Sequence, residues 1–267
     1  MLFRWLQKRK RQKILAAPFP VDWLQYLERN GAHYRLLAEN EKAKLRDDLR
    51  IFIAEKRWEG CKGLQLTDEM KVTIAAHACL LILALDHDYF RRVRTILVYP
   101  EGFMIGDEDP LRDELVIEEH MGALGQIHYR GPVIISWADA LAAGQTESGG
   151  INVVLHEFAH ELDFLDGTFD GTPPLQDRAQ YKKWQEIMTQ EYNLLVRNTE
   201  KGKKSLLDQY GTENEGEFFA VATECFFEKP VAMAQRHPRL YDLLREYYHQ
   251  DPAKRFARAQ AGASKKE

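Results

Sequence analysis

Cysteine is scarce: Cys61, Cys79 and Cys225 are an odd number and lack the close spacing of a disulfide framework or a cysteine zinc cluster. A small stapled secreted scaffold is therefore excluded, and the usage suits a reducing cytoplasm. Long apolar runs are missing too. The longest, residues 74–85, is interrupted by His77 and falls well short of the ~20 residues of a membrane-spanning helix. It reads as a buried helix. No charge of one sign dominates, because 37 Lys and Arg face 41 Asp and Glu, a net −4. Nothing global draws the chain to nucleic acid or an anionic membrane. Internal repeats and low-complexity linkers are absent, and strand signals are few.

What is present divides the 267 residues into four stretches. Residues 1–18 carry Arg4, Lys8, Arg9, Lys10, Arg11 and Lys13 with no acid before Asp22. They lack the apolar centre and cleavage site of a secretory signal and read as a solvated basic tail. A nucleic-acid or membrane contact is the less favoured alternative. Residues 19–90 look helical, with Leu24, Leu27, Leu36, Leu37, Leu45, Leu49, Ile51, Phe52 and Ile53 near helical spacing. In residues 91–254 two strand-like runs stand out: TILVY, ended by Pro100, and VIISW, after Gly131-Pro132. An acidic irregular stretch, residues 106–113, lies between them. Helices follow at 151–165, 178–197, 215–228 and 237–249. Residues 255–267 read as a disordered tail. The fold class expected is mainly helical α+β with a small sheet.

The string INVVLHEFAHELDFLDG contains His156-Glu157-Phe158-Ala159-His160. Histidines four apart on a helix stand one turn above each other, so both imidazoles reach one ion. Neutral imidazole suits zinc, and a catalytic zinc takes three protein ligands plus an open position. Glu157, beside the first ligand, is placed to take a proton from water there. Val153, Val154, Leu155, Phe158, Ala159 and Leu162 make the helix look buried. Two histidines and a glutamate in such a helix would be costly to desolvate without a cation.

Three sources compete for the third ligand. Asp166 lies ten residues after His156, but Asp163 stands where a chain-turning glycine would be needed. Gly167-Thr168-Phe169-Asp170 offers Asp170, without the tyrosine-glycine pair that should follow. A later helix, EGEFFAVATECFFE, offers Glu217 and Glu224, seven apart on one face.

HEFAHELD and TENEGEFFAVATECFFEKP together resemble the Mlc titration factor A family of bacterial zinc metallopeptidases. The two motifs are also similar to those of the zinc domain of anthrax lethal factor, a glutamate zincin. EKRWEGCKGLQLTDEMKVTIAAHACLLIL, TILVYP and GPVIISW extend the resemblance over most of residues 19–254. It implies a zincin-like catalytic part in residues 91–254, one zinc ion held by His156, His160 and Glu217, and Tyr210 assisting catalysis. It also implies an aminopeptidase acting on peptide substrates, and binding to the repressor Mlc. One departure concerns a further family histidine soon after a Leu-Val pair. Here Leu115-Val116 is followed by Ile117, the nearest histidines are His120 and His128, and only a gapped alignment would put His120 there.

Two functions of different class follow. One is a zinc peptidase with Glu157 as base. The other is a zinc-stabilised antirepressor, a binding module with incidental peptidase activity. A merely structural site does not require Glu157 and would use four protein ligands. His33, His77, His87, His237 and His249 have no partner at ligand spacing and read as packing or surface residues. Cys225 and the phenylalanines 218, 219, 226 and 227 read as core. Asp163 and Asp166 are candidates for orienting a ligand imidazole.

Overall fold

The run Val72–Leu81 is mostly apolar around the whole turn, so this part of its helix must be covered on every side. The computed structural model shows this. It describes residues 2–101, 131–145 and 151–263, so the stretch 106–113, Leu115, Val116, Ile117, His120 and His128 lie outside the described residues. Among the described residues the helices are α1 (Leu2–Ala16), α2 (Val21–Asn30), α3 (Ala32–Leu36), α4 (Glu39–Glu55), α5 (Asp68–Leu81), α6 (Trp137–Gln145), α7 (Val153–Asp163), α8 (Arg178–Glu200), α9 (Glu215–Glu228), α10 (Pro230–Arg236), α11 (Pro238–Tyr248) and α12 (Pro252–Ala263). Three short strands, β1 (Arg57–Gly60), β2 (Thr95–Tyr99) and β3 (Val133–Ser136), form a parallel sheet in the order β1-β2-β3. The protein is mainly helical with a small sheet, as the sequence suggests.

Parallel neighbours need a crossover, and α5 supplies the one between β1 and β2. Thr67 caps it by accepting from the Met70 amide, and its buried faces meet α2, α4, α6 and α7. Arg57 pairs with Thr95, and Ile96 with Val133. β1 was not expected inside the helical stretch. Its sequence, RWEG, has no β-branched residue, and its ends are set by backbone pairing, Arg57 N to Arg94 O and Cys61 N to Val98 O. Just before it, the Lys56 ammonium is buried and donates to the carbonyls of Tyr89, Phe90 and Val93 at 2.6–2.9 Å. That ties the loop before β2 to the end of α4. Burial pushes the Lys56 pKa down to about 8.

The core runs from α4 through the sheet to α9. Phe158 packs edge-on against Phe52 and Phe90, with ring centroids 5.5 and 4.8 Å away. Phe218, Phe219, Phe226 and Phe227 are all buried, and each contributes roughly 1.5–3 kcal/mol relative to exposure.

Both expected tails are structured where described. The basic N-terminal stretch forms α1, held by Arg11, whose guanidinium donates to Glu55 at 2.8 Å and to Asp88 at 2.6 Å and lies 4.4 Å from the centroid of the Tyr89 ring. Gln7, Arg11, Ile14 and Leu15 share the inward face at helical spacing, and the periodicity was masked by the charges around them. α12 is tied by Arg255, which donates to Glu41 at 2.6 Å. No described helix is long and apolar enough to cross a membrane.

Candidate metal centre

α7 begins at Asn152, whose side-chain oxygen accepts from the Leu155 amide at 3.2 Å. Val154, Leu155, Phe158, Ala159 and Leu162 bury one face of the helix, which leaves His156 and His160 facing α9. α9 begins at Asn214, whose side chain accepts from the Glu217 amide at 2.9 Å, so the cap fixes Glu217 in the first turn. At the next position back, Gly216, any side chain would have to displace the Phe169 ring. A Cβ on Gly216 would lie 2.4 Å from Phe169 Cε1, and the Phe169 ring packs 4.9 Å from the His160 imidazole.

Across this seam three ligand atoms converge. His156 Nε2 lies 3.1 Å from His160 Nε2 and 3.0 Å from Glu217 Oε2, and His160 Nε2 lies 3.4 Å from the same oxygen. Atoms about 2.0–2.2 Å from one tetrahedral ion are roughly 3.3 Å apart, so these three edges fit a shared cation. Two imidazole nitrogens face to face can share only one proton, whereas a cation takes all three lone pairs. The donor set, two imidazoles and one carboxylate, suits zinc. It is the only group of three or more such side chains among the described residues.

Glu224 is not a ligand here. Its Oε1 accepts from His156 Nδ1 at 2.7 Å and its Oε2 from the Asn152 amide at 2.7 Å. A carboxylate on Nδ1 sets the tautomer that presents Nε2. The position seven after Glu217 pointed to the right face, but spacing alone did not separate the carboxylate that meets both Nε2 atoms from the one that meets His156 Nδ1. Burial alone would lower the His156 pKa, yet hydrogen bonds to Glu217 and Glu224 outweigh it and push it up to about 10. Burial opposes ionisation of Glu217, but His156 and His160 hold it down at about 2. Glu157 is partly buried, and burial raises its carboxyl pKa against the pull of His160 and His156.

Tyr210 lies on a 3-10 turn (Gln209–Thr212) packed on α9 through Gly211. Its ring centroid is 5.9 Å from that of His156 and the residue is 54% exposed. The competing aspartates are engaged elsewhere. Asp166 accepts from the amide and hydroxyl of Thr168, Asp170 from the Thr172 amide, and Asp163 from the Gly171 amide. Neither Asp163 nor Asp166 takes the orienting part that Glu224 takes.

The family model for the glucose-regulated metallo-peptidase M90 matches residues 4–249. An uncharacterized protein of Synechocystis is 36% identical over 249 residues, 93% of this chain and 90% of that protein. Mlc titration factor A of Klebsiella pneumoniae is 30% identical over 221 residues, 82% of this chain and 83% of that protein. Its namesake in Salmonella agona is 31% identical over 224 residues, with the same two coverages. The resemblance carried by HEFAHELD and EGEFFAVATECFFE therefore extends along residues 4–249, and this chain belongs to the glucose-regulated metallo-peptidase M90 family, with the Mlc titration factor A proteins among its relatives.

Proposed function

We propose that the chain is a zinc-dependent peptidase with an aminopeptidase preference, built on a zincin-like core and working in the cytoplasm. His156, His160 and Glu217 hold the ion, and the convergence of their ligand atoms at 3.0–3.4 Å is the observation that carries this reading. Zinc at such a site supplies Lewis acidity and brings the pKa of a water to about 7. Glu157 takes the proton of the attacking water on its carboxylate and returns it to the departing amine. Glu224 keeps the His156 ring turned so that Nε2 stays inward. The Tyr210 phenol donates a hydrogen bond to the substrate oxygen on which negative charge develops.

The relatives named Mlc titration factor A favour a second role, binding of the repressor Mlc, with the peptidase activity incidental in the limiting case. Glu157→Gln separates the two. The amide keeps shape and removes the base, so zinc should stay near one ion per chain while hydrolysis of a chromogenic aminoacyl substrate falls about 10²- to 10⁴-fold. Repressor binding should survive the change. Activity within twofold of wild type would overturn the assignment of Glu157.

A further inference from the structure

Beyond Glu224 the seam continues into a second set of buried polar groups. Asn152 is fully buried. Its Nδ2 donates to Glu228 Oε1 at 2.7 Å and to His77 Nδ1 at 3.0 Å, while its amide N–H reaches Glu224. Glu228 Oε1 also meets His33 Nε2 at 2.9 Å. On α7 the groups concerned stand at 152, 156 and 160, and on α9 at 217, 224 and 228. Each helix thus presents one face, and the pairs stack as rungs: His160 with Glu217, His156 with Glu217 and Glu224, Asn152 with Glu224 and Glu228.

We infer that Asn152 is a positioning residue for the metal centre, and that Glu228, His33 and His77 lock its amide so that Glu224, and through it His156, has one orientation. The inference rests on the reading above that His156 is a ligand. A helix cap needs only the Asn152 oxygen, and Ser or Asp would serve as well. The two Nδ2 contacts exceed that need.

They also fix each proton. Oδ1 takes the Leu155 N–H, so Nδ2 must face two acceptors. Glu228 is one: burial works against its charge, but His33 and Asn152 hold its carboxyl below the usual range. His77 is the other: burial pushes its imidazole down to about 4, so the ring is neutral, and Nδ1, 3.0 Å from Asn152 Nδ2, is the nitrogen placed to accept. Since the same residue's N–H holds Glu224, a shift of Asn152 moves that carboxylate and turns the ligand ring.

The test uses reversed polarity. Asn152→Asp keeps the cap and the volume but sets a carboxylate oxygen against Glu228 and against the His77 lone pair. Zinc affinity, measured by competition with a chromogenic chelator on protein shown to be folded by circular dichroism, should fall about 10- to 100-fold. The visible spectrum of the cobalt-substituted protein should change as well. Adding Glu228→Gln restores a complementary pair, since the new amide can donate to Asp at 152 and to His33, with His77 donating from its other tautomer. The double variant should recover most of the affinity, and recovery is something a purely structural cap would not show. If Asn152→Asp does not fold, Asn152→Ser, which caps without the Nδ2 contacts, should show the same loss. Wild-type affinity and spectrum in a folded Asn152→Asp or Asn152→Ser protein would overturn the inference, as would a folded double variant without recovery. A wild-type protein that binds no zinc would instead sink the metal reading itself.

Discussion

Under α1, Arg11 meets Glu55 and Asp88 at 2.6–2.8 Å, and nearby Lys44 meets Asp48 at 2.6 Å. Each of these acids already faces a cation of the chain. At the α7–α9 seam, by contrast, two imidazole nitrogens and a carboxylate oxygen point at one another, and the carboxylates of Glu224 and Glu228 stand behind them. The first cluster is complete in charge and holds a helix in place. The second gathers lone pairs faster than the chain supplies protons for them. Burial of ionisable groups is common to both, so burial alone does not mark function; what separates them is whether the chain itself satisfies what it gathers.

The contrast breaks most sharply if the seam keeps no metal. His156→Ala combined with His160→Ala should take the protein from about one zinc per chain to none by elemental analysis. Full retention would make the seam a second structural cluster. The next largest effect is expected at Tyr210, which lies near His156 without belonging to the converging group His156, His160 and Glu217. Tyr210→Phe should lower kcat about 10²- to 10³-fold with KM and zinc content little changed, and unchanged turnover would return the ring to the surface of its turn. On the other side, Arg11→Ala should cost roughly 1–3 kcal/mol in urea unfolding and leave zinc affinity untouched, because its partners lie wholly in the self-sufficient cluster. A change in zinc affinity there would show that the two regions are coupled.

The smallest effect concerns pH. Burial, helped by Lys44 and Arg11, pushes His87 down to about 4 from 6.5. Between those values the folded protein binds fewer protons than the unfolded chain, so stability present above pH 6.5 is lost as pH falls toward 4. His87→Gln should reduce that loss by on the order of 1 kcal/mol, allowing for the residue's partial exposure. Parallel slopes in wild type and variant would remove His87 from the acid response.

The candidate site was legible where one helix carries the pattern. His156, Glu157 and His160 can be read from a single turn, and the bounds of α9 follow from its apolar run. The third candidate ligand remained a choice among Asp166, Asp170, Glu217 and Glu224 until resemblance pointed to Glu217, because which face of one helix meets another is a tertiary fact. His33 and His77 looked like packing residues for the same reason. The partner of His77, Asn152, is 75 positions away and that of His33, Glu228, is 195 positions away, and no spacing rule links such distances. β1 was hidden because backbone pairing, not side-chain preference, makes it a strand.

The anchoring of α1 has a consequence for how the molecule opens. Arg11 grips Glu55 and Asp88, and Arg50 donates to the carbonyls of Leu15 and Ala17 at the helix end. These are side-chain contacts at the margin of the core, whereas α5 is buried from Val72 to its end. α1 can therefore lift away while the remainder stays folded, so its amides should exchange with solvent through a low-energy local opening and those of α5 only through global unfolding.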